Sequence, residues 1–291
     1  MPSKIVLVTG ANGQLGWELQ QFVAKHPDLP FHFLFADRNL LDLSQPEKFA
    51  TLFKYKYPAY LINCGAYTLV DKAETDKENA YQINAAVVGT LAKMCADINC
   101  KFIHFSTDYV FDGNGKQPYK TDDATNPINY YGYTKCKGEE LVLENNPEAI
   151  IIRTSWVYST HGKNFVKTMI RLLQEKESIG VVADQTGSPT YAADLAAAVI
   201  QIILEDIVGN SQKGIYHYCN TGIISWFDFA MAIKQAIQSS CNIQPIPVVE
   251  YPTPAKRPTY SALDCTKTCI DFNIQLKPWK DSLIHCVSQL M

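Results

Sequence analysis

A tyrosine and a lysine four residues apart form the most reactive pair in the sequence. Tyr131 and Lys135 lie in the run YYGYTK, within a segment of helical pattern at 128–145. Residues four apart share one face of a helix. A free phenol has a pKa of about 10, and an ammonium group beside it is expected to lower that pKa. We therefore predict that the pair acts as a general acid towards a carbonyl oxygen that receives a hydride.

A hydroxyl group is expected close to this pair. Thr107 follows the predicted strand at 101–106, in the run STDYVF. The carboxyl ends of the strands line the ligand crevice of a doubly wound sheet, so we predict that Thr107 meets the same carbonyl oxygen. Tyr-x-x-x-Lys also arises by chance in many helices. A glycine-rich turn, a strand-end hydroxyl and the Tyr/Lys pair in this order make chance a poor explanation.

A glycine-rich turn, TGANGQLG, follows the first apolar strand (4–10) and opens a helix predicted at 14–25. Glycines let the backbone approach a pyrophosphate, and the helix N-terminus offers free N–H groups. The spacing is Gly-x-x-Gly-x-x-Gly, whereas the dinucleotide fingerprint is Gly-x-Gly-x-x-Gly. The predicted cofactor contacts here are Gly10, Asn12, Gly13, Gln14, Leu15 and Gly16.

The end of the second predicted strand (31–36) carries two opposite charges. Asp37 would accept hydrogen bonds from an adenine-ribose diol and favour NAD, whereas Arg38 would pair with a 2′-phosphate and favour NADP. The two signals conflict, so we predict use of either NADPH or NADH. The remaining predicted cofactor contacts are Asp42, Leu43, Gly65, Ala66, Tyr67, Tyr131 and Lys135.

The elements that carry these residues alternate between strand and helix. Further strands are predicted at 59–66 and 149–157, and further helices from Pro46 to about Lys56 and at 80–99. This alternation predicts an α/β fold with a Rossmann-like, doubly wound parallel sheet. We place a dinucleotide-binding domain at 1–157, to which segments near 179–184 and 195–220 return.

The second half is predicted to form mainly a smaller C-terminal substrate lobe, at 158–291. Its helices are predicted at 164–177, 192–205 and 226–238, and its strands at 179–184 and 214–220. A proline-rich stretch at 245–258 is predicted to be extended and to line a surface or cleft.

Composition narrows the class of protein. The 291 residues include 26 basic and 29 acidic side chains, without a block of like charge, which argues against nucleic-acid and anionic-membrane partners. The N-terminus lacks a leader pattern, and the longest apolar stretch, 195–204, is too short to span a bilayer. We therefore expect a cytoplasmic protein. Its nine scattered cysteines suggest neither a disulfide framework nor a zinc site.

Several short sequence motifs resemble those of one family. The runs GANGQLGWEL, AYTLVDKAE, STDYVFDG, NYYGYTKCKGEE, RTSWVY, DQTGSPTYAADLA and YPTPAKRP together resemble the dTDP-4-dehydrorhamnose reductases, which are extended short-chain dehydrogenases. The resemblance implies NAD(P)H-dependent reduction of the C4 keto group of a dTDP-4-keto-6-deoxy-hexose to dTDP-L-rhamnose. It implies that Tyr131 is the proton donor, Lys135 the ribose-binding partner that tunes it, and Thr107 the third member. Gly65 is a small departure from the family pattern.

The resemblance also suggests which residues hold the sugar nucleotide. Asp108 and Trp156 would contact it, and we place Thr107 and Tyr109 with them. Arg257, in the proline-rich stretch, is our candidate for the diphosphate, because a guanidinium forks well onto phosphate. We assign no role to His104, His161 or His217.

Alternatives remain open at this point. One is another nucleotide-sugar reductase or a 4-epimerase on the same fold; another is a non-catalytic, NADP-binding regulatory subunit of the methionine adenosyltransferase type. Some family members form dimers bridged by Mg²⁺ through carboxylates. Glu18 and Asp194 could serve, but no acid follows Asp281. We leave the metal unassigned and a homodimer possible.

Overall fold

The computed structural model describes residues 4–43, 45 and 47–291. The strands are β1 (Lys4–Thr9), β2 (Phe31–Ala36), β3 (Tyr60–Asn63), β4 (Lys101–Thr107), β5 (Ile150–Thr154), β6 (Val157–Tyr158), β7 (Ser178–Val182), β8 (Thr186–Gly187), β9 (Thr190–Tyr191), β10 (Gly214–His217), β11 (Ile224–Ser225) and β12 (Asn242–Ile246). The α-helices are α1 (Gln14–Lys25), α2 (Glu47–Lys56), α3 (Val70–Ala73), α4 (Lys77–Tyr81), α5 (Val87–Asp97), α6 (Tyr130–Asn145), α7 (Phe165–Glu175), α8 (Ala192–Ile207), α9 (Trp226–Ala236), α10 (Thr266–Phe272) and α11 (Trp279–Ser288).

A parallel sheet in the order β10-β5-β4-β3-β1-β2 forms the centre of the molecule. The order reverses between β1 and β3, so the carboxyl ends of these strands open a crevice for ligands. The predicted doubly wound parallel sheet is confirmed. Strand β10, from the segment near 195–220, pairs with β5 at one edge of this sheet.

Helices cover both faces of this sheet. Alternate side chains of β1, β3, β4 and β5 pack on one side against α1 and α8 and on the other against α2, α5 and α6. Burial on both faces explains why the strands are nearly continuous apolar runs. Helix α6, which carries the predicted catalytic pair, thus lies directly on the sheet.

The smaller lobe has its own core. Side chains of α7, α9 and α11 pack there with those of β7 and β12. Strands β7 and β12 pair in parallel with each other, so the prediction that 179–184 returns to the central sheet is wrong. Pairing with a neighbouring strand in the lobe can bury an apolar strand just as pairing with the central sheet can. In this protein Val181 and Ile243 face the core of the lobe. Part of the predicted proline-rich loop is accordingly strand.

Two predicted elements are interrupted. The helix predicted at 80–99 is formed by α4, a π-helical turn (Gln82–Ala86) and α5. The strand predicted at 149–157 ends at Thr154, because Trp156 adopts a left-handed backbone conformation with φ of 48°. The predicted helix start at Pro46 lies outside the described residues, and α2 is observed from Glu47.

Across residues 4–43, 45 and 47–291, none of the helices combines the length and the apolar character needed to traverse a bilayer.

Candidate active site

Two features fix the position of the start of α6, a capping side chain and a close approach at a glycine. Asn129 caps the helix, because its Oδ1 accepts a hydrogen bond from the Gly132 amide (2.8 Å) while its Nδ2 donates to the Lys256 carbonyl (2.8 Å). At Gly132 a Cβ atom would lie 2.2 Å from the carbonyl oxygen of Tyr109. The helix can therefore approach the residues that follow β4, and this approach brings Tyr131 to Thr107.

The phenol of Tyr131 lies among the residues that follow β4. Its hydroxyl group lies beside that of Thr107, and its ring meets that of Tyr109 edge-on at 5.9 Å between centroids. Burial raises the pKa of Tyr131 to about 12; the charge of Asp108 acts in the same direction and Thr107 opposes both. The net direction is the reverse of our prediction, because loss of solvent outweighs the local donors. A phenol with this pKa is fully protonated near neutrality and ready to act as an acid.

Lys135 is buried, and the protein holds its ammonium group from two sides. Its Nζ donates to the Phe105 carbonyl (2.6 Å) and lies 3.2 Å from Nε2 of His104. Burial lowers the pKa of Lys135 to about 8, and the carboxylate of Glu139 opposes that shift. The lysine is therefore still cationic at neutral pH.

Thr107 and Asp108 form the strand-end part of the site. The Thr107 hydroxyl donates to Oδ1 of Asp108 (3.0 Å) and accepts from the Tyr109 amide (3.2 Å). Burial raises the pKa of Asp108 to about 7, while hydrogen bonds with Ser261 and Thr107 oppose the rise. This carboxyl group is therefore only partly ionised at neutral pH, which lessens the negative charge beside Tyr131, where an alkoxide would develop.

The glycine turn fits a dinucleotide. Gly10 has φ of 65°, and a Cβ atom on it would lie 2.6 Å from the Gly65 nitrogen. A Cβ atom on Gly16 would lie 2.3 Å from the Gly10 carbonyl oxygen. No side chain caps the N-terminus of α1 at Gly13, so its amide groups are available to a phosphate.

Substitution of Gly16 is expected to disrupt this turn. In Gly16→Ala the methyl group forces Gly10 away from α1, so we expect affinity for the cofactor to fall at least about tenfold, or ~1.4 kcal/mol, measured by isothermal titration with NADPH. Gly209→Ala is the matched control. Gly209 has positive φ (97°), whereas Gly16 lies within α1, and a Cβ atom on Gly209 meets nothing within 4 Å. Strain in Gly209→Ala should therefore lower stability without changing cofactor affinity. Unchanged affinity in Gly16→Ala would place the pyrophosphate elsewhere.

The site predicted for the adenosine half of the cofactor lies at the carboxyl ends of β1 and β2. Oδ1 of Asp37 accepts hydrogen bonds from the amides of Asn39 and Leu40, each at 3.0 Å, and Asn12 Nδ2 lies 3.4 Å from Oδ2. The Arg38 side chain is 80% exposed and pairs with Asp42 at 3.2 Å. Arg38 is thus free to turn towards a 2′-phosphate, since an exposed pair of this kind is weak.

The loop after β3 also borders the glycine turn. A Cβ atom on Gly65 would lie 2.6 Å from Cδ1 of Leu43, which brings these two predicted cofactor contacts together. Tyr67 is held by Asn84, which accepts from the Tyr67 amide (2.8 Å) and donates to its carbonyl (3.0 Å). Ala66, between them, is exposed.

Two further predicted contacts on α1 are positioned differently from each other. Gln14 reaches the smaller lobe, where its Oε1 accepts from Nδ2 of Asn164 at 2.9 Å. Leu15 is partly buried and packs against the core beneath the sheet. Gln14 thus joins the two halves of the molecule, and Leu15 contributes mainly packing.

Trp156 follows β5 of the central sheet and packs against the core of the smaller lobe. Its left-handed backbone (φ 48°) costs energy for a bulky residue, and such strain persists where the surroundings enforce it. Its indole stacks on Trp226, with 3.5 Å between centroids and 8° between planes. It also lies against Gly187, where a Cβ atom would be 2.9 Å from the ring.

Arg257 forms a bidentate pair with Asp71, at 3.0 Å and 2.9 Å. Asp71 also accepts from the Ala255 amide (3.2 Å). The proline-rich segment is therefore fastened to α3, and our candidate for the diphosphate has a carboxylate partner in this structure.

The two carboxylates considered for magnesium are engaged with protein groups. Glu18 is buried and accepts from the Ser159 hydroxyl at 2.5 Å. Asp194 is buried too, and it accepts from Lys277 (2.7 Å), Asn220 (2.9 Å) and Ser282 (2.5 Å). Within the described ranges, no group of three or more His, Cys, Asp or Glu residues is arranged to hold a metal ion.

Sequence reasoning missed the amides and the imidazole that support the site. Asn84 links Tyr67 to α6 through Thr134 (3.1 Å), and Asn129 caps α6. An asparagine just before a helical segment is a recognised cap, so Asn129 was detectable. His104 was given no role, yet it touches Lys135; no local sequence signal marks that contact.

Comparison with known proteins gives a consistent result over the whole chain. The protein-family model described as the RmlD substrate binding domain matches residues 4–291. The chain is 40% identical over 285 residues to the dTDP-4-dehydrorhamnose reductase of Aggregatibacter actinomycetemcomitans, covering 96% of each sequence.

Solved structures agree with this. A dTDP-4-dehydrorhamnose reductase from Clostridium acetobutylicum is similar with a TM-score of 0.92 and 38% identity, covering 98% of this chain and 99% of that one. The enzyme of that name from Bacillus anthracis, in complex with NADP, has a TM-score of 0.91 and 37% identity, covering 99% of both chains.

Proposed function

Because the chain belongs to the dTDP-4-dehydrorhamnose reductase family, we propose that it reduces the C4 keto group of a dTDP-4-keto-6-deoxy-hexose to give dTDP-L-rhamnose. The observation that carries this proposal is that Tyr131 lies beside Thr107 at the end of β4, while buried Lys135, one turn along α6, donates to the Phe105 carbonyl of the same strand. All three are the residue types that the resemblance requires at those positions.

The reaction needs a proton on the carbonyl oxygen as hydride reaches C4. Reduced nicotinamide supplies the hydride when it is bound. Tyr131, protonated because burial raises its pKa to about 12, donates its hydroxyl proton to that oxygen. Thr107, which lies beside Tyr131, presents a hydroxyl to the developing alkoxide. The Lys135 ammonium stabilises the phenolate that is left and holds the cofactor ribose.

The cofactor is NADPH or NADH. The restricted space at Gly10 and Gly16 and the uncapped N-terminus of α1 fit a pyrophosphate. Exposed Arg38 beside Asp37 supports acceptance of either nucleotide, and the Bacillus anthracis relative is described with NADP.

Turnover tests the proposal directly. Purified protein is mixed with the dTDP-4-keto-6-deoxy-hexose and NADPH or NADH, oxidation is followed at the nicotinamide absorbance, and the product is identified by NMR. We expect stoichiometric oxidation and dTDP-L-rhamnose. Epimerisation without net oxidation would support a 4-epimerase instead. No turnover, together with capture of a methionine adenosyltransferase, would support the regulatory role.

Arg257 provides a test of where the sugar nucleotide lies. We expect Arg257→Ala to raise the KM for the sugar nucleotide at least about tenfold, the scale of one charged contact, with little change in the KM for the cofactor. This requires Arg257 to exchange Asp71 for the diphosphate on binding. Lys256→Ala removes an equal charge from the exposed neighbouring side chain and should change neither constant. A rise confined to the KM for the cofactor would assign Arg257 to the other ligand.

The remaining assignments are also proposals. They comprise a dinucleotide-binding domain at 1–157, a substrate lobe mainly at 158–291, substrate contacts at Asp108, Tyr109 and Trp156, a homodimer, and a cytoplasmic location. Trp156 follows the carboxyl end of β5 by two residues, at the edge of the sheet where ligands bind, and this position supports its contact with the sugar.

A further inference from the structure

Three polar side chains stand side by side across the centre of the apolar sheet. Thr9 of β1 is paired in register with Asn63 of β3, and Asn63 with His104 of β4. All three are buried, at 0%, 1% and 1% exposure. Residues in register on neighbouring strands point to the same face, which here is the face covered by α6.

The row is continuous and ends on the catalytic lysine. Oγ1 of Thr9 lies 2.6 Å from Oδ1 of Asn63, and the Asn63 amide lies 3.1 Å from Nδ1 of His104. Nε2 of His104 then lies 3.2 Å from Nζ of Lys135. Three buried polar groups in an apolar sheet are costly unless fully paired, so the row has a function that offsets this cost.

The hydrogens of the ammonium group suggest what that function is. An ammonium has three N–H donors. In the described part of the chain Phe105 O and His104 Nε2 take two of them, leaving one for ligand. We propose that His104 is a positioning residue for Lys135: neutral, protonated on Nδ1, and accepting from the ammonium through Nε2. The catalytic part of this inference rests on the proposed function.

This protonation state determines the rest of the row. A ring nitrogen that accepts from an ammonium must be unprotonated, so the proton of a neutral imidazole lies on Nδ1. Nδ1–H then needs an acceptor. The carboxamide oxygen of Asn63 supplies it once that carboxamide is turned over from its orientation in the structure, where Thr9 Oγ1 donates to Oδ1 and Nδ2 faces Nδ1. The Asn63 NH₂ group is left to donate to Oγ1 of Thr9, which immediately precedes Gly10 of the glycine turn. The row thus connects the lysine to the strand that begins the cofactor site.

The charges around Lys135 make this contact measurable. Glu139, one turn along α6, favours the ammonium but is itself paired with Arg153 of β5 at 2.6 Å. Tyr131 and Asp108 face the other side of the reaction centre, and Glu74 and Lys77 lie against Tyr130 at the start of the helix. Burial lowers the pKa of Lys135 to about 8 and that of His104 well below its ordinary value, with the charge of Lys135 acting in the same direction.

Loss of the acceptor should shift the activity profile. Activity requires the ammonium and falls as pH rises through the pKa of Lys135. In His104→Phe the cation loses a hydrogen bond, so that pKa falls and the basic limb of kcat should move down by about one pH unit, the scale of one hydrogen bond to a charge. His104→Gln, whose amide reaches the position of Nε2, should restore the limb. His104→Asn, which reaches only the position of Nδ1, should not.

Phe102→Leu is the control for packing. Phe102 is buried on the same face of β4, with its ring stacked 6.0 Å from that of His104, but it offers Lys135 no acceptor. It should lower the melting temperature and leave the basic limb in place. The proposal is overturned if folded His104→Phe has the same basic limb as the wild-type protein. It is also overturned if His104→Asn restores the basic limb as fully as His104→Gln does.

The tautomer can be measured without turnover. ¹⁵N-histidine labelling of the wild-type protein at pH 7, with the His104 signals assigned by their loss in His104→Gln, distinguishes protonated from unprotonated ring nitrogens. We expect Nδ1 to be protonated and Nε2 unprotonated. A proton on Nε2, or on both nitrogens, overturns the inference even if the protein is an active reductase. The expected tautomer in an inactive protein would instead contradict the proposed function.

Discussion

Tyr131→Phe is expected to lower kcat by roughly two to four orders of magnitude, the usual contribution of a positioned general acid. The substitution removes the hydroxyl that lies beside Thr107 and keeps the ring that meets Tyr109. Folding and cofactor binding should therefore persist. Steady-state oxidation of NADPH with the 4-keto sugar nucleotide measures the loss, and circular dichroism measures the fold.

Tyr133→Phe is the matched control for this prediction. Tyr133 lies on the same helix but is 39% exposed, so the same deletion there should leave turnover near the wild-type value. Turnover of Tyr131→Phe close to that of Tyr133→Phe would mean that the proton comes from another group. Asp108, whose pKa burial raises to about 7, would then be the first alternative.

Arg153→Met is expected to cause the largest loss of stability, about 3–5 kcal/mol in the free energy of unfolding, because it leaves a buried carboxylate without its partner. The Arg153 and Glu139 side chains are only 3% and 4% exposed, with 2.6 Å between Nη2 and Oε2. A second contact joins Nε to Oε1 at 2.9 Å. Urea unfolding at pH 7, followed by circular dichroism, measures the change.

A second substitution tests the stated cause. Arg153→Met combined with Glu139→Leu removes both charges, so most of the lost stability should return. Lys213→Met, which breaks the exposed pair with Glu148, should have no measurable effect. A double variant as unstable as Arg153→Met would show that Arg153 acts through packing, such as its contact with the Phe111 ring at 5.0 Å, and not through charge.

The sequence was sufficient to predict the central sheet and the elements that carry the proposed catalytic residues. Alternating apolar strands and helices specify a parallel sheet because each element must bury its own face. The glycine turn, Thr107 and the Tyr131/Lys135 pair are local patterns whose spacing survives folding. For this reason α6 and β4 were predicted close to their observed limits.

Only the tertiary structure decided what depends on distant partners. Whether β7 joins the main sheet or pairs with β12 is a competition between two apolar environments, and no local pattern distinguishes them. The pKa of Tyr131 rises because burial by several elements outweighs the nearby donors. The row from Thr9 to Lys135 exists because register between strands far apart in sequence places three side chains together. Spacing along the chain determines which groups share an element, whereas packing between elements determines what surrounds each group and therefore its charge.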